Sequence, residues 1–450
     1  MTGIDKTSYA LGVLCGLSLL ALLAAALAVA IRPMLRERDR RFRLVLAILV
    51  AVAIVKLALL RFLPGEKVDL MQFKSWGAAI ALFGPAHVYD PQYECIYTPA
   101  YLYALWPAAA LASDYGGSLR EFIEIPLIIA DLLLAISVYA AVRRIAEVRF
   151  ALPATLLAAF NPALTYASTV WGQNDSALAF PVLLSIVMAV DSQFALAWAL
   201  AIVAALIKSQ GLILLPILAW WTLVTGKVSD WFKAAGAALV TAIVVLAPFQ
   251  LARPWHFLPD LYRMSIGWFP WASLNAFNLM SALGGLLVPD SDRVFGPVSF
   301  FMLGNFLFLI VYVIAGYIVW RRRTGWSLMF SVFLVYLGMF VFAPRMHERY
   351  LYYAVALLSP LVFSSWAAIA LYATLSATLL LDMACAFFEL VFVNGVVEGH
   401  LIIGPSGRFE IALINVAAFV LAAVYGLVIT SRTAEGGTSV KKPNRPDGAR

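Results

Sequence analysis

The run LVLAILVAVAIVKLALLRFL, residues 44–63, is followed almost at once by Lys67-Val68-Asp69-Leu70-Met71-Gln72. Together these two stretches decide how the chain is read. About 20 apolar residues are what an α-helix needs to cross the ~30 Å hydrocarbon core of a bilayer. Residues 44–63 therefore read as a span, and Asp69 as a carboxylate at its watery end. Only 13% of the 450 residues are Asp, Glu, Lys or Arg, so an acid at such a boundary is informative.

Composition extends this reading to the whole chain. It is 63% hydrophobic, with a mean hydropathy of +0.90, where soluble domains run to about 45–50% apolar. The other apolar runs have helix-spanning length, and none shows the ten-residue alternation of a membrane barrel. The fold class is an all-α polytopic membrane protein. Cys15, Cys95 and Cys385 stand singly, with neither metal spacing nor a disulfide framework. The first run, 9–31, is too long for a cleaved signal peptide and reads as a retained span. The net charge of +7 is no nucleic-acid footprint, because the basic residues sit in loops and the tail as topology signals.

Lys and Arg collect in cytoplasmic loops. The strongest cluster is Arg32, Arg36, Arg38, Arg40, Arg41 and Arg43. With it inside, the N-terminus lies outside and Asp69 emerges on the external face. Arg143, Arg144 and Arg149, then Lys227 and Lys233, then Arg321 to Arg323, and finally the tail from Arg432 all fall inside on one condition. Residues 98–112 must not cross, and their Tyr, Trp and Pro content suits an interfacial or re-entrant helix. The same reasoning demotes 275–287. About 13 spans result, near 8–31, 44–63, 121–142, 150–169, 177–190, 194–208, 210–225, 233–251, 297–320, 325–343, 350–364, 366–390 and 409–431. Residues 1–43 form an extra helix and a basic loop. Residues 44–431 form the transmembrane domain, and 432–450 a disordered basic cytoplasmic tail. There is no soluble domain and no internal repeat.

This topology gathers the unusual polar residues on the outer face. They are Asp69 and Gln72, Tyr97, Gln173-Asn174-Asp175, Lys208 with Gln210, and Arg345 with His347-Glu348-Arg349. Ionisable groups at a membrane boundary are costly and are functional candidates. Each also has a plainer reading. Lys208 can snorkel, Asp175 can cap the helix that follows, and Glu348 with Arg349 can be an interfacial ion pair. His87, beside Pro85, reads as structural. Convergence on one face argues for chemistry. A carboxylate serves as general base toward a hydroxyl. Arg, Lys and His suit a phosphate leaving group. The aromatic loop holding Trp255, Tyr262, Trp268, Phe269 and Trp271 offers platforms for a sugar ring and a lipid tail. No phosphate-cradling glycine loop exists for a nucleotide-sugar donor.

These residues resemble the GT-C class of polytopic glycosyltransferases, in which a catalytic Asp follows an early span. Tyr97-Thr98-Pro99-Ala100-Tyr101-Leu102-Tyr103 and Ala130-Asp131-Leu132-Leu133 look like elements of GPI mannosyltransferases. Asn161-Pro162 and Trp171-Gly172-Gln173-Asn174-Asp175 are similar to an outer loop of bacterial relatives of those enzymes. Lys208-Ser209-Gln210 and His347-Glu348-Arg349-Tyr350 look like elements of dolichyl-phosphate-sugar-dependent glycosyltransferases. The resemblance runs in order from about Leu44 to Tyr353. It implies a GT-C-like bundle with interfacial or re-entrant helices in the external loops. It implies an inverting transfer of a hexose, mannose-like by preference, from a polyprenyl-phosphate donor to a lipid or glycan acceptor. The setting would be the external face of a bacterial inner (plasma) membrane. Asp69 would be the base. His347, Arg345, Arg349 and Lys208 would hold the donor phosphate. Gln72, Tyr97, Gln173, Asn174, Asp175, Gln210 and Glu348 would line the substrate site, Asp175 sharing the base role or not. Many GT-C members carry a second acid two residues from the first. Here those neighbours are Lys67 and Met71, so no metal or other cofactor is expected, with a divalent cation left open.

Two other readings compete. A transporter or lipid flippase places its charges near the midplane, usually within internal repeats. An oligosaccharide ligase shares the GT-C plan but takes a diphosphate-linked donor.

Overall fold

The computed structural model describes residues 6–63, 65–115, 119–251, 253–392 and 403–435. The chain is helical nearly throughout. α1 (Lys6–Arg36) and α2 (Arg40–Leu60) lead into two helices before the next long one, α3 (Lys67–Phe83) and α4 (Pro99–Tyr115). Then come α5 (Leu119–Ile145), α6 (Ala151–Ala159), α7 (Pro162–Thr165), α8 (Asp175–Val190), α9 (Phe194–Ile207), α10 (Leu215–Thr225) and α11 (Val228–Gln250). An outer loop carries α12 (Phe257–Gly267), β1 (Ser273–Leu274), α13 (Leu279–Ala282) and the hairpin of β2 (Arg293–Phe295) and β3 (Val298–Ser299). The chain closes with α14 (Phe300–Arg322), α15 (Gly325–Phe342), β4 (Met346–His347), α16 (Tyr352–Leu358), α17 (Trp366–Phe392) and α18 (Pro405–Glu435).

Among the described residues, eight helices are long and apolar enough to cross a membrane: α1, α2, α5, α11, α14, α15, α17 and α18. A ninth span arises if the pieces either side of Asn161-Pro162, bent by 44°, count as one. This measure does not confirm the expected count of about thirteen; three further apolar helices, Asp175–Val190, Phe194–Ile207 and Ser209–Thr225, are shorter. The remaining segments are broken. Residues 210–225 divide into a 3-10 stretch, Ser209–Leu214, and the 11-residue α10. Residues 350–364 divide into the seven-residue α16 and a 3-10 turn. α8 and α9 have 16 and 14 residues. Their position explains why this is tolerated. α8 is buried along almost its whole length. Irregular backbone at membrane depth is stable where protein, not lipid, surrounds it.

α4, at 17 residues, is shorter than the helices counted as spans. Its Leu102 and Leu105 are buried, and it packs so tightly on α3 that a Cβ at Gly77 would stand 3.1 Å from the Leu105 carbonyl. It is an internal helix rather than one lying on the surface. The tail beyond Glu435 lies outside the described residues, and α18 runs a few residues past the expected 431.

The two ends of the bundle differ in chemistry. At one end Arg143 pairs with Asp39 at 3.0 Å and with Glu37, while Arg144 pairs with Asp191. Gly325, just beyond Arg321 to Arg323, packs on Val190 and Ile145. Gly226, next to Lys227, packs on Phe194. The basic clusters after α1, α5, α10 and α14 thus share one end. The groups expected to do chemistry lie at the other.

Candidate functional site

The site begins at the N-terminus of α3. Glu66 caps it, its Oε1 accepting from the Val68 N–H at 3.0 Å and its Oε2 from the Asp69 N–H at 2.7 Å. Such caps satisfy backbone donors that a helix start leaves unpaired. The Glu66 N–H donates to the Trp171 carbonyl at 2.9 Å, tying α3 to the turn before α8. Burial, with the Asp69 charge adding to it, pushes the Glu66 carboxyl above its usual range despite those two bonds. Asp69 sits in the first turn. Its Oδ2 accepts from Trp171 Nε1 at 3.0 Å and from the Gln173 amide.

Those two donors come from an unusual turn. After α7 the chain widens into a π-helix, Tyr166–Trp171, and Gly172 ends it with φ of +90°. That conformation favours glycine. A Cβ there would also meet Glu124 Oε1 at 2.8 Å. π-Helical turns recur at functional sites.

The facing wall holds the cations. β4 pairs in parallel with β1, setting Leu274 opposite His347. Arg349 Nη1 donates to Glu348 Oε1 at 2.5 Å, and its guanidinium stands 5.7 Å from the ring centres of Trp171 and Tyr350. Burial, then the charges of Arg349 and Lys208, hold His347 well below its usual value, so it is neutral at pH 7. Burial raises the Glu348 carboxyl. Lys208 Nζ donates to Asp175 Oδ1 at 2.8 Å and lies over the rings of Tyr350 and Tyr97, 5.3 and 5.7 Å from their centres.

Both walls border one cavity of about 510 Å³. Of the residues singled out in the sequence, it is lined by Asp69, Gln72, Tyr97, Lys208, Gln210, Arg345, His347, Glu348 and Arg349. Trp268 and Phe269 of the aromatic loop also line it. Gln173, Asn174 and Asp175 stand behind this surface. Gln173 holds Asp69, and Asn174 Oδ1 lies 3.4 Å from Lys208 Nζ. Asp175 is fully buried and accepts from Lys208 and Tyr353. Arg345, in the left-handed region at φ 65°, gives its Nε to Asp290 at 2.6 Å and its Nη1 to the Ile266 carbonyl. It clamps the outer loop to the β4 segment. His87 lies apart, its Nδ1 3.1 Å from Asp90, which also accepts from Arg253.

Glu66 was missed, although it stands three residues before Asp69, the spacing of a helix cap. As a metal ligand it fits poorly, because both its oxygens already accept backbone N–H groups. Among the described residues no three His, Cys, Asp or Glu side chains converge as a metal site.

No protein-family model and no curated protein matches the chain. Among solved structures it is similar to the archaeal oligosaccharyltransferase AglB from Archaeoglobus fulgidus, in complex with an inhibitory peptide and a dolichol-phosphate. Identity is 14% and the TM-score 0.42, over 89% of this chain and 56% of that one. This chain thus spans little more than half of that protein's length.

Proposed function

We propose that this chain is an inverting glycosyltransferase of GT-C type. It moves a hexose from a polyprenyl-phosphate donor to a hydroxyl of a lipid or glycan acceptor, at the external face of a bacterial inner membrane. The observation that carries this reading is the single cavity with a carboxylate on one wall and Lys208, His347 and Arg349 on the other.

In the proposed step the acceptor oxygen attacks the anomeric carbon as its bond to the phosphate oxygen breaks. The hydroxyl proton passes to Asp69, and the lipid phosphate leaves with the electron pair. Asp69 is suited to this because Trp171 and Gln173 both bind Oδ2, so in the proposed step Oδ1 takes the proton. A general base must lie within hydrogen-bond reach of its proton, and two fixed donors give it one orientation. Arg349 and Lys208 stabilise charge developing on the phosphate, inside a buried site where such stabilisation is strong. Neutral His347 donates one N–H to the same oxygens.

Two details bear on the donor. The cavity extends past Leu212, Ile213, Phe301 and Phe308, apolar groups at a mouth beside α14 that suit a lipid tail. Each lining cation also already has a carboxylate partner: Asp175 for Lys208, Glu348 for Arg349 and Asp290 for Arg345. That balance suits one phosphate better than two, and so a monophosphate donor over a diphosphate.

The test is purified protein with a panel of polyprenyl-phosphate and polyprenyl-diphosphate sugars, products read by mass spectrometry. Transfer from a monophosphate hexose that survives EDTA is expected. Transfer from diphosphate donors alone, or its loss with EDTA, would contradict the assignment.

A further inference from the structure

A second tier of charge lies beneath the site. Lys56, about one turn before the C-terminal end of α2, donates to Asp131 Oδ2 on α5 at 2.5 Å. The Ser168 hydroxyl donates to the same oxygen at 2.6 Å, and Lys56 Nζ lies 3.4 Å from Ser168 Oγ. The side chains of Lys56 and Asp131 are 6% and 10% exposed, so the pair is shut off from solvent. Against an apolar pair of the same size, a buried ion pair is a poor stabiliser. Its value lies in fixing a position.

What it fixes is the π-turn. Ser168 sits inside Tyr166–Trp171, three residues before Trp171 and five before Gln173, the two side chains that hold Asp69. Ala167, beside Ser168, accepts the Gln173 N–H at 2.9 Å and so closes the turn. A π-turn is a rare local geometry. Here it is pinned from outside, through Ser168, to two helices.

We infer that Lys56, Asp131 and Ser168 form a positioning device that sets the π-turn and, through Trp171 and Gln173, the orientation of Asp69. The inference rests on the base role proposed for Asp69. None of the three is among the residues lining the cavity. They act through the turn.

The experiment uses the full chain in nanodiscs, labelled with 5-fluorotryptophan, with the Trp171 19F resonance assigned by Trp171→Phe. Ser168→Ala and the double variant Lys56→Met/Asp131→Leu are compared with wild type and with Ser168→Thr. The double variant removes both charges together, because one left alone in the core destabilises the fold. Ser168→Ala and the double variant are expected to move the Trp171 resonance and lower kcat about ten- to a hundredfold, the scale of a small misplacement. Donor KM and the thermal midpoint stay unchanged, and Ser168→Thr restores kcat. An unmoved resonance and an unchanged kcat in both variants would overturn the inference. If wild type transfers no sugar from any donor, the base reading has failed, and the resonance alone then decides whether the tier positions the turn.

Discussion

The carboxylate wall of the cavity hangs on a helix start and a π-turn, whereas the cation wall hangs on the two-residue β4, the 3-10 turn Glu348–Leu351 and the junction between α9 and the 3-10 stretch Ser209–Leu214. Asp69 is held by side chains from one short segment, and that segment is anchored on α2 and α5 through Ser168. Each cation is instead held by an acid: Lys208 by Asp175, Arg349 by Glu348, Arg345 by Asp290. One wall is organised to orient a group. The other holds each charge compensated, and under the proposed function a donor phosphate would compete for it. The first should therefore govern the chemical step, and the second the use of the donor.

The largest effect should come from the first wall. Asp69→Asn keeps the shape of the side chain but removes the base, and kcat should fall about 10²–10⁴-fold. Next, Arg349→Lys keeps the charge but loses the planar fork. Donor KM should rise, with kcat/KM down about 10²-fold and acceptor KM unchanged. Equal loss toward both substrates would merge the two walls into one. Gln173→Ala removes one of the two donors on Asp69 Oδ2 and should lower kcat about tenfold, within the range for a misoriented group.

The two walls were unequally legible in the sequence. Lys208, His347 and Arg349 stood out because charge is rare in this chain and they flank apolar runs. Asp69 stood out for the same reason. Glu66 did not, because it acts as a cap and looks like any loop acid. Lys56 sits inside the apolar run 44–63, so it was absorbed into a span. Asp131 appeared only within a resembled motif. Arg345 was read as a phosphate ligand, but its guanidinium is committed to Asp290 and Ile266. Asp175 was weighed as a second base and stands behind Lys208. The long lipid-facing spans were readable because lipid imposes length and composition. The short central helices were readable as apolar segments, near 177–190, 194–208 and 210–225, but not their shortness or breaks, because protein burial lifts both demands.

The smallest effect concerns His347. Its folded value lies below the ordinary 6.5, so the unfolded chain takes up a proton first as pH falls. Its contribution to stability is present above that value and is lost as pH drops through it. His347→Gln should flatten the fall in thermal midpoint between about pH 7 and 5. An unchanged slope would mean that His347 is not buried in the neutral form.

The most direct test of the two-wall account is steady-state transfer by Asp69→Asn in liposomes, with donor-lipid binding measured on the same preparation. The account predicts that kcat falls at least about 10²-fold while donor binding is unchanged. Near-wild-type turnover, or donor binding lost together with kcat, would contradict it.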